Sequence, residues 1–415
     1  MLKTKKATNS SAISMIDKSK KIISMLFKSE VRVFNEENLA GCERVFIEDA
    51  RFLKSINKLG NVYTAAENRV AKNSDFPSVK KIPYPHKLLD YVTLEILKVP
   101  IIRRAANKIN KTIILVTEFY FALSFIIREF RADYYYVFQT PLVALFFPNK
   151  TTVVFHNFYL DLDYIFTILF FFRRKSRGIK FAFVSESLMR QYQDYYPLIN
   201  NSKCSILRNS VDPNMFRTIQ NKNTKITFTF LSAWVPVKGI HLLPKIVEEI
   251  NKRYMDQVQF IIGGSIDLWS LSKQENKEYK KIENMIQNLS KRYSNVKVVG
   301  LIDRSQVAPL LSSSTFCLLP SIWPEPASLL ASESLSCGTP VIAFNVGGNK
   351  EIISDNKNGY LVDTIGETSY IHKMKEVLND FHWSEYKKMS ENAREAAKKY
   401  TPAKRNRDLQ KILMG

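Results

Sequence analysis

Two carboxylates with seven residues between them, Glu325 and Glu333, mark the segment SIWPEPASLLASESLSCGTPVIAFNVGGNKEII at residues 321–353. Pro324 and Pro326 bracket the first and hold it in irregular backbone, because proline disfavours helix in the residue before it. The apolar run from Leu329 to Leu335 reads as a helix, on which Leu329 and Glu333 share a face. One acid therefore stands on the approach to a helix N-terminus and the other in its first turns. The unpaired N–H groups and the dipole of such an end favour a phosphate or diphosphate. Ionised carboxylates only accept hydrogen bonds, and so suit paired sugar hydroxyls. Without its surroundings, the same pair of Glu would describe an exposed helix edge.

Four other places put chemistry at the ends of expected elements. Ser232-Ala233-Trp234-Val235-Pro236-Val237-Lys238-Gly239 follows the strand Ile226–Leu231 and offers Lys238 as a cation at a strand-to-helix turn. Ala40-Gly41-Cys42-Glu43-Arg44 opens a helix after the strand Ile22–Phe27, and Gly41 would let backbone approach a phosphate closely. His156 ends the strand Val153–Phe155, where ligands of an α/β domain gather. Gly263-Gly264-Ser265 forms a turn after the strand Val258–Ile262. Each alone has a plainer explanation: a surface lysine, a helix-start glycine, a structural histidine.

Together these segments resemble the retaining glycosyltransferases of the GT-B fold, glycosyltransferase family 4. That family shows an acid, seven residues, a second acid, then Gly-x-Pro, a short strand and Gly-Gly. Here those are Glu325, Glu333, Gly338-Thr339-Pro340, Val341–Ala343 and Gly347-Gly348. The resemblance implies that Glu325 contacts the donor sugar and Glu333 the ribose hydroxyls of a nucleotide. It implies that backbone amides at Ser328, Leu329 and Leu330, and Lys238, hold the diphosphate, with Gly41 at its other side. His156 would face the sugar across the cleft, and Gly263 would lie near the base. Phe183-Val184-Ser185-Glu186 and Asn209-Ser210-Val211-Asp212 with Phe216 resemble further family segments, so the matches run in order from about residue 20 to 362. Four positions depart from the pattern. Ala327-Ser328 replaces Phe-Gly, which leaves the sugar open; Ala233 replaces an Arg of the diphosphate clamp; Ala40 replaces a Gly. The resemblance implies no metal and no cofactor beyond the nucleotide-sugar substrate. Asp161-Leu162-Asp163 has the look of the metal-holding pair of another fold, but falls far in sequence from the nucleotide motif.

The elements that would position these groups alternate. In the C-terminal half, strands at 226–231, 258–262, 296–299, 316–319, 341–343 and 360–362 are separated by helical segments, including His241–Tyr254 and Glu275–Tyr293. The N-terminal half repeats the theme with candidates at 22–27, 61–65, 113–116, 134–138, 153–155 and 181–184. Such alternation predicts an α/β chain of two doubly wound, Rossmann-like domains facing a central cleft. The expected division is 1–217 for the acceptor, 218–395 for the nucleotide-sugar, and a C-terminal helix at 396–415 packing back on the first domain. The linker is placed at Asn214–Lys225.

The 415 residues carry a formal net charge of +22. Residues 1–217 hold 34 Lys and Arg against 19 Asp and Glu, a net +15; the remainder holds 27 against 20, a net +7. This asymmetry fits an anionic membrane surface near a saccharide or lipid-linked acceptor, or simply a Lys- and Asn-rich composition. The apolar cluster Tyr164–Phe172 running into Arg173-Arg174-Lys175 suits the interface of a bilayer, or a buried helix with a charged end. No run is long enough to span, no signal peptide is visible, and the four scattered cysteines suit a reducing, cytoplasmic setting. Two other classes compete: a catalytically weakened partner subunit, favoured by Ala233 and Ala40, and a nucleic-acid binder, favoured by charge. The second lacks basic stretches interleaved with aromatics, so no nucleic-acid partner is expected.

Overall fold

The structure, a computed structural model, describes residues 22–27, 33–34, 41–65, 69–70, 79–82, 118–158, 178–196, 199, 203–218, 225–266 and 277–415. It contains two fully parallel sheets. The first has seven strands: β1 Ile23–Phe27, β3 Leu59–Ala65, β5 Val79–Ile82, β6 Tyr134–Phe138, β7 Thr151–Phe155, β8 Lys180–Phe183 and β9 Lys203–Ile206. A separate two-stranded pair joins β2 Val33–Phe34 to β4 Arg69–Val70. The second large sheet has β10 Ile226–Leu231, β11 Val258–Gly263, β12 Val296–Gly300, β13 Phe316–Leu319, β14 Val341–Phe344 and β15 Gly359–Val362. Runs such as Tyr-Tyr-Tyr-Val-Phe in β6 and Val-Ile-Ala-Phe in β14 are buried throughout, as strands covered on both faces must be.

The strand orders are β5-β3-β1-β6-β7-β8-β9 and β12-β11-β10-β13-β14-β15. In each sheet the chain winds outward from a central strand, then returns and winds the other way. The order reverses between β1 and β6 and between β10 and β13, and the carboxyl ends of the strands at such a reversal form a crevice for ligands. The helices that matter below are α1 Gly41–Ser55, α2 (residues 118–129), α3 Glu186–Tyr195, α4 Leu243–Tyr254, α5 Lys277–Arg292, α6 Arg304–Ser313, α7 Leu329–Ser336, α8 Glu367–Asn379, α9 Trp383–Ala397 and α10 Pro402–Met414.

The last helix returns to the first domain. Leu409, Ile412 and Leu413 of α10 are buried in the core formed by β1, α1 and β6. Arg405 of the same helix is buried against Asp49 of α1. At the other end of this crossing, Tyr400 lies in the core of the second domain beside Val211 and Phe216.

The strand candidates at 134–138, 226–231 and 316–319 coincide with β6, β10 and β13, and most others differ by one or two residues. The helix expected from His241 begins instead at Leu243. Gly239 takes a left-handed φ of 75°, and two short 3-10 turns, Pro236–Lys238 and Ile240–Leu242, use up the residues before it. The edge strands β5 and β9 are additions to the sequence reading, since their Lys, Cys and Ser break the apolar signal. The candidate at 113–116, the Asp161/Asp163 pair, the segment 164–175 and residues 219–224 of the linker lie outside the described residues. Among the described residues, no helix is long and apolar enough to cross a membrane.

Candidate active site

The loop after β13 is built to hold one carboxylate. Pro320 to Pro326 run without regular structure, and Glu325 is buried within them. Its Oε1 accepts a hydrogen bond from Ser321 Oγ at 2.6 Å and one from Lys238 Nζ. Lys238 comes from the turn after β10, so the pair joins the two strands that flank the reversal of the second sheet. Glycine makes this approach possible. A Cβ on Gly239 would lie 1.8 Å from the Pro320 carbonyl oxygen. Gly347 and Gly348 pack backbone to backbone on the same loop: a Cβ there would lie 2.3 Å from the Glu325 carbonyl oxygen and 2.0 Å from that of Pro326. The Gly348 amide donates to the Glu325 carbonyl at 2.6 Å. The Gly-Gly of the motif is thus a seat for the Glu325 loop.

Ser328 caps α7, its Oγ accepting from the Ala331 amide at 3.2 Å. With that amide satisfied, Leu329 and Leu330 supply the first-turn amides at the open end of the helix. Gly41, the first residue of α1, faces this end: a Cβ on it would lie 2.9 Å from Leu329 Cδ1. The starts of two helices, one from each domain, therefore lie beside each other, and each such end favours an anion.

Glu333 lies one turn along α7, 4% exposed. Its Oε1 accepts a hydrogen bond from Arg304 of α6 and lies 3.8 Å from Arg44 Nη1 of α1. The Arg304 guanidinium stacks 4.3 Å from the ring centre of Phe216. Other contacts join the domains nearby. Asn209 Nδ2 donates to the Ala327 carbonyl at 3.3 Å, and the Glu351 carboxylate accepts from the amides of Glu186 and Ser187 at the start of α3, at 3.0 and 2.8 Å.

His156 directly follows β7 and is 4% exposed. Its ring stacks on Phe138, centroids 5.0 Å apart, and its Nε2 has no hydrogen-bond partner among the described residues. Burial, with the Arg405 charge adding to it, pushes its pKa well below the ordinary histidine value. The imidazole is neutral at pH 7. The next residue, Asn157, contacts Cys42 Sγ at 3.8 Å, which ties the end of β7 to the start of α1. Gly263 closes β11, where a Cβ would lie 2.6 Å from Leu231 Cδ2.

Of the residues singled out in the sequence, Glu325 and Lys238 meet directly, and Ser328, Leu329 and Leu330 share an end of α7 with Glu333 and Gly41. His156 and Gly263 stand at the ends of other strands, β7 and β11. Ser321 and Arg304 enter the site unannounced by the sequence. Ser321 sits four residues before Glu325, in the same loop. Arg304 left one trace, a cation in the first turn of a helix, where the dipole disfavours it. Among the described residues, no three His, Cys, Asp or Glu side chains gather as a metal site would require.

Two doubly wound parallel sheets, each with its own reversal point, match the GT-B fold of the solved structures named below. Residues 211–396 match the family model described as glycosyl transferases group 1. It is 29% identical over 172 residues to an uncharacterized glycosyltransferase of Methanocaldococcus jannaschii, an alignment covering 41% of this chain and 43% of that one. It is 25% identical over 151 residues to spore coat protein SA of Bacillus subtilis, covering 36% and 38%. The chain thus spans less than half the length of these curated relatives. Among solved structures, sucrose-phosphate synthase from Thermosynechococcus elongatus superposes with a TM-score of 0.67 at 16% identity, over 95% of this chain and 98% of that one. Anabaena HepE, in complex with UDP, also gives 0.67 at 16%, over 95% and 99%. At that identity the likeness is one of fold.

Proposed function

We propose that the chain transfers a sugar from a nucleotide-sugar donor to a saccharide or lipid-linked saccharide acceptor, with retention at the anomeric carbon and without a metal, as a family 4 enzyme of surface-polysaccharide synthesis. The observation that carries this reading is the convergence of Lys238–Glu325 and Glu333 on the facing N-termini of α1 and α7. The diphosphate lies between those helix ends. Lys238 and the amides of Leu329 and Leu330 stabilise the negative charge that grows on the departing nucleotide. Glu325 holds the sugar hydroxyls and Glu333 the ribose. The bond from the anomeric carbon to the donor phosphate breaks. An acceptor oxygen bonds to the same face of that carbon, and its proton passes to the leaving phosphate oxygen. Neutral His156 can accept or donate a hydrogen bond beside the sugar without adding charge.

The bound state of HepE makes UDP-hexoses the first donors to screen, by ligand-observed NMR and then by the anomeric configuration of the product. Turnover is expected to persist in excess chelator, because Lys238 and the helix dipoles supply the positive charge. Activity lost in chelator and restored by manganese or magnesium overturns metal independence. Nucleotide binding without transfer or hydrolysis of any donor would favour the weakened partner subunit that Ala233 suggests.

A lipid-linked acceptor would bring the first domain to a cytoplasmic, anionic bilayer surface. The net +15 of residues 1–217 supports this. So does α2, which turns Phe119, Tyr120, Ile127 and, just past its end, Phe130 outward, the last two 63% and 59% exposed. Arg128 and Arg131 stand among them, while the neighbouring Glu129 is turned inward onto Ser24, Asn61 and Tyr63. Cations close to such a surface contribute about 1 kcal/mol each, and salt screens them. Binding is expected to anionic vesicles and not to neutral ones, and to fall as salt rises. Changing Ile127 and Phe130 to Ser, or Arg173, Arg174 and Lys175 to Ser, should weaken it in a sedimentation assay. Equal binding by the wild type and both variants removes the membrane from the proposal.

A further inference from the structure

The two domains meet at Glu333. Two guanidinium groups, Arg304 and Arg44, are directed at a single carboxylate oxygen. Arg44 also stands in the first turn of α1, the end of a helix where a cation is disfavoured. Glu48, one turn further on, accepts a hydrogen bond from Ser210 Oγ at 3.1 Å. For Arg44, burial and then repulsion from Arg304 outweigh the attraction of Glu333, Glu48 and Glu43, so its pKa is lowered. Two half-buried arginines that meet on one carboxylate oxygen, beside two helix starts, make a site that an anion would suit.

Reach favours the same anion. Glu333 is four residues from the start of α7, about 6 Å along its axis at 1.5 Å per residue. An arginine side chain covers that distance by changing rotamer. Phe216 supports the face of the Arg304 guanidinium and leaves its in-plane N–H donors free to bond. Neither the Glu325–Lys238 pair nor the turn after β10 offers a second cation, because position 233 is a buried Ala.

We infer that Arg304, which lies in none of the segments that resemble the family, is a donor-binding residue: with Arg44 it closes on the nucleotide diphosphate and replaces the charge missing at Ala233. In the free protein Glu333 holds the two guanidinium groups. When the ribose hydroxyls take Glu333, the guanidinium groups turn to the phosphate oxygens. The inference rests on the transferase reading and assigns the missing half of its diphosphate clamp.

Titration calorimetry with UDP, GDP and ADP, and with the matching nucleosides, tests it on wild type, Arg304→Gln and Arg304→Lys. Arg304→Gln should bind the preferred nucleoside diphosphate at least about 10-fold more weakly. It should bind the nucleoside within about 2-fold of wild type, with an unchanged unfolding midpoint. Arg304→Lys should recover part of the loss, as a point charge without the fork. Undiminished diphosphate binding by Arg304→Gln overturns the inference. So does an equal loss for nucleoside and nucleoside diphosphate, which would make Arg304 only a prop for Glu333. A wild-type protein that binds none of the three diphosphates overturns the transferase reading itself.

Discussion

Glu325→Gln is expected to lower turnover about 10²- to 10³-fold while donor affinity stays within a few-fold of wild type, an effect of the size seen when one preorganised electrostatic contact to a transition state is removed. The amide keeps the shape of the side chain and can still accept from Ser321 Oγ. It loses the charge that orients Lys238 and that grows in value as positive charge develops on the sugar ring. Contacts stronger in the transition state than in the ground state act on kcat and not on binding. Glu333→Ala should do the reverse. It removes the proposed ribose acceptor and the carboxylate that Arg304 and Arg44 share, so nucleotide affinity should fall first. Steady-state kinetics with calorimetry on the two variants separates these outcomes. Near-normal turnover by Glu325→Gln would remove Glu325 from the reacting centre.

The legible part of this site is the part written in backbone constraints. Pro324, Pro326, Gly239, Gly347 and Gly348 restrict or release the chain at fixed spacings, and the tightest approach of each of the three glycines is to one loop, Pro320–Pro326. Such constraints are local, so they survive in sequence as a motif. The alternation of apolar strands is legible for the same reason, since β6, β10 and β13 are buried almost throughout and carry no charged residue. Arg304 is of another kind. Its partner Glu333 is 29 residues away and its neighbour Arg44 lies on the other domain, so only the folded chain brings the three together. The edge strands β5 and β9 were hidden by their charge. The start of α4 was misread because a left-handed Gly239 and two 3-10 turns occupy residues whose apolar spacing suits a helix.

The crossing of α10 depends on one buried ion pair, and its loss is expected to be the largest single effect on stability. Arg405 Nε and Nη2 donate to Asp49 Oδ1 and Oδ2, both at 2.7 Å, with both side chains nearly inaccessible. Its Nη1 donates to the carbonyls of Leu207 and Arg208 at 3.1 and 2.7 Å, and Tyr136 OH completes the carboxylate at 2.7 Å. Burial works to lower the Arg405 pKa, but the charge and hydrogen bonds of Asp49 outweigh it and leave it raised. Arg405→Ala leaves the Asp49 charge and two backbone carbonyls in the core without a cation, at a cost of about 3–5 kcal/mol. The double variant Asp49→Ala with Arg405→Met should be less damaging than Arg405→Ala alone, because no unpaired charge remains inside. The first domain should bear the loss, since α10 lends Leu409, Ile412 and Leu413 to its core, whereas Tyr400 anchors the preceding turn in the second. Urea unfolding followed by hydrogen exchange reads this directly: β1, α1 and β6 should lose protection before β10 and β13. Unchanged unfolding of Arg405→Ala, or equal loss of protection across both sheets, would mean that α10 rests on the first domain without holding it together.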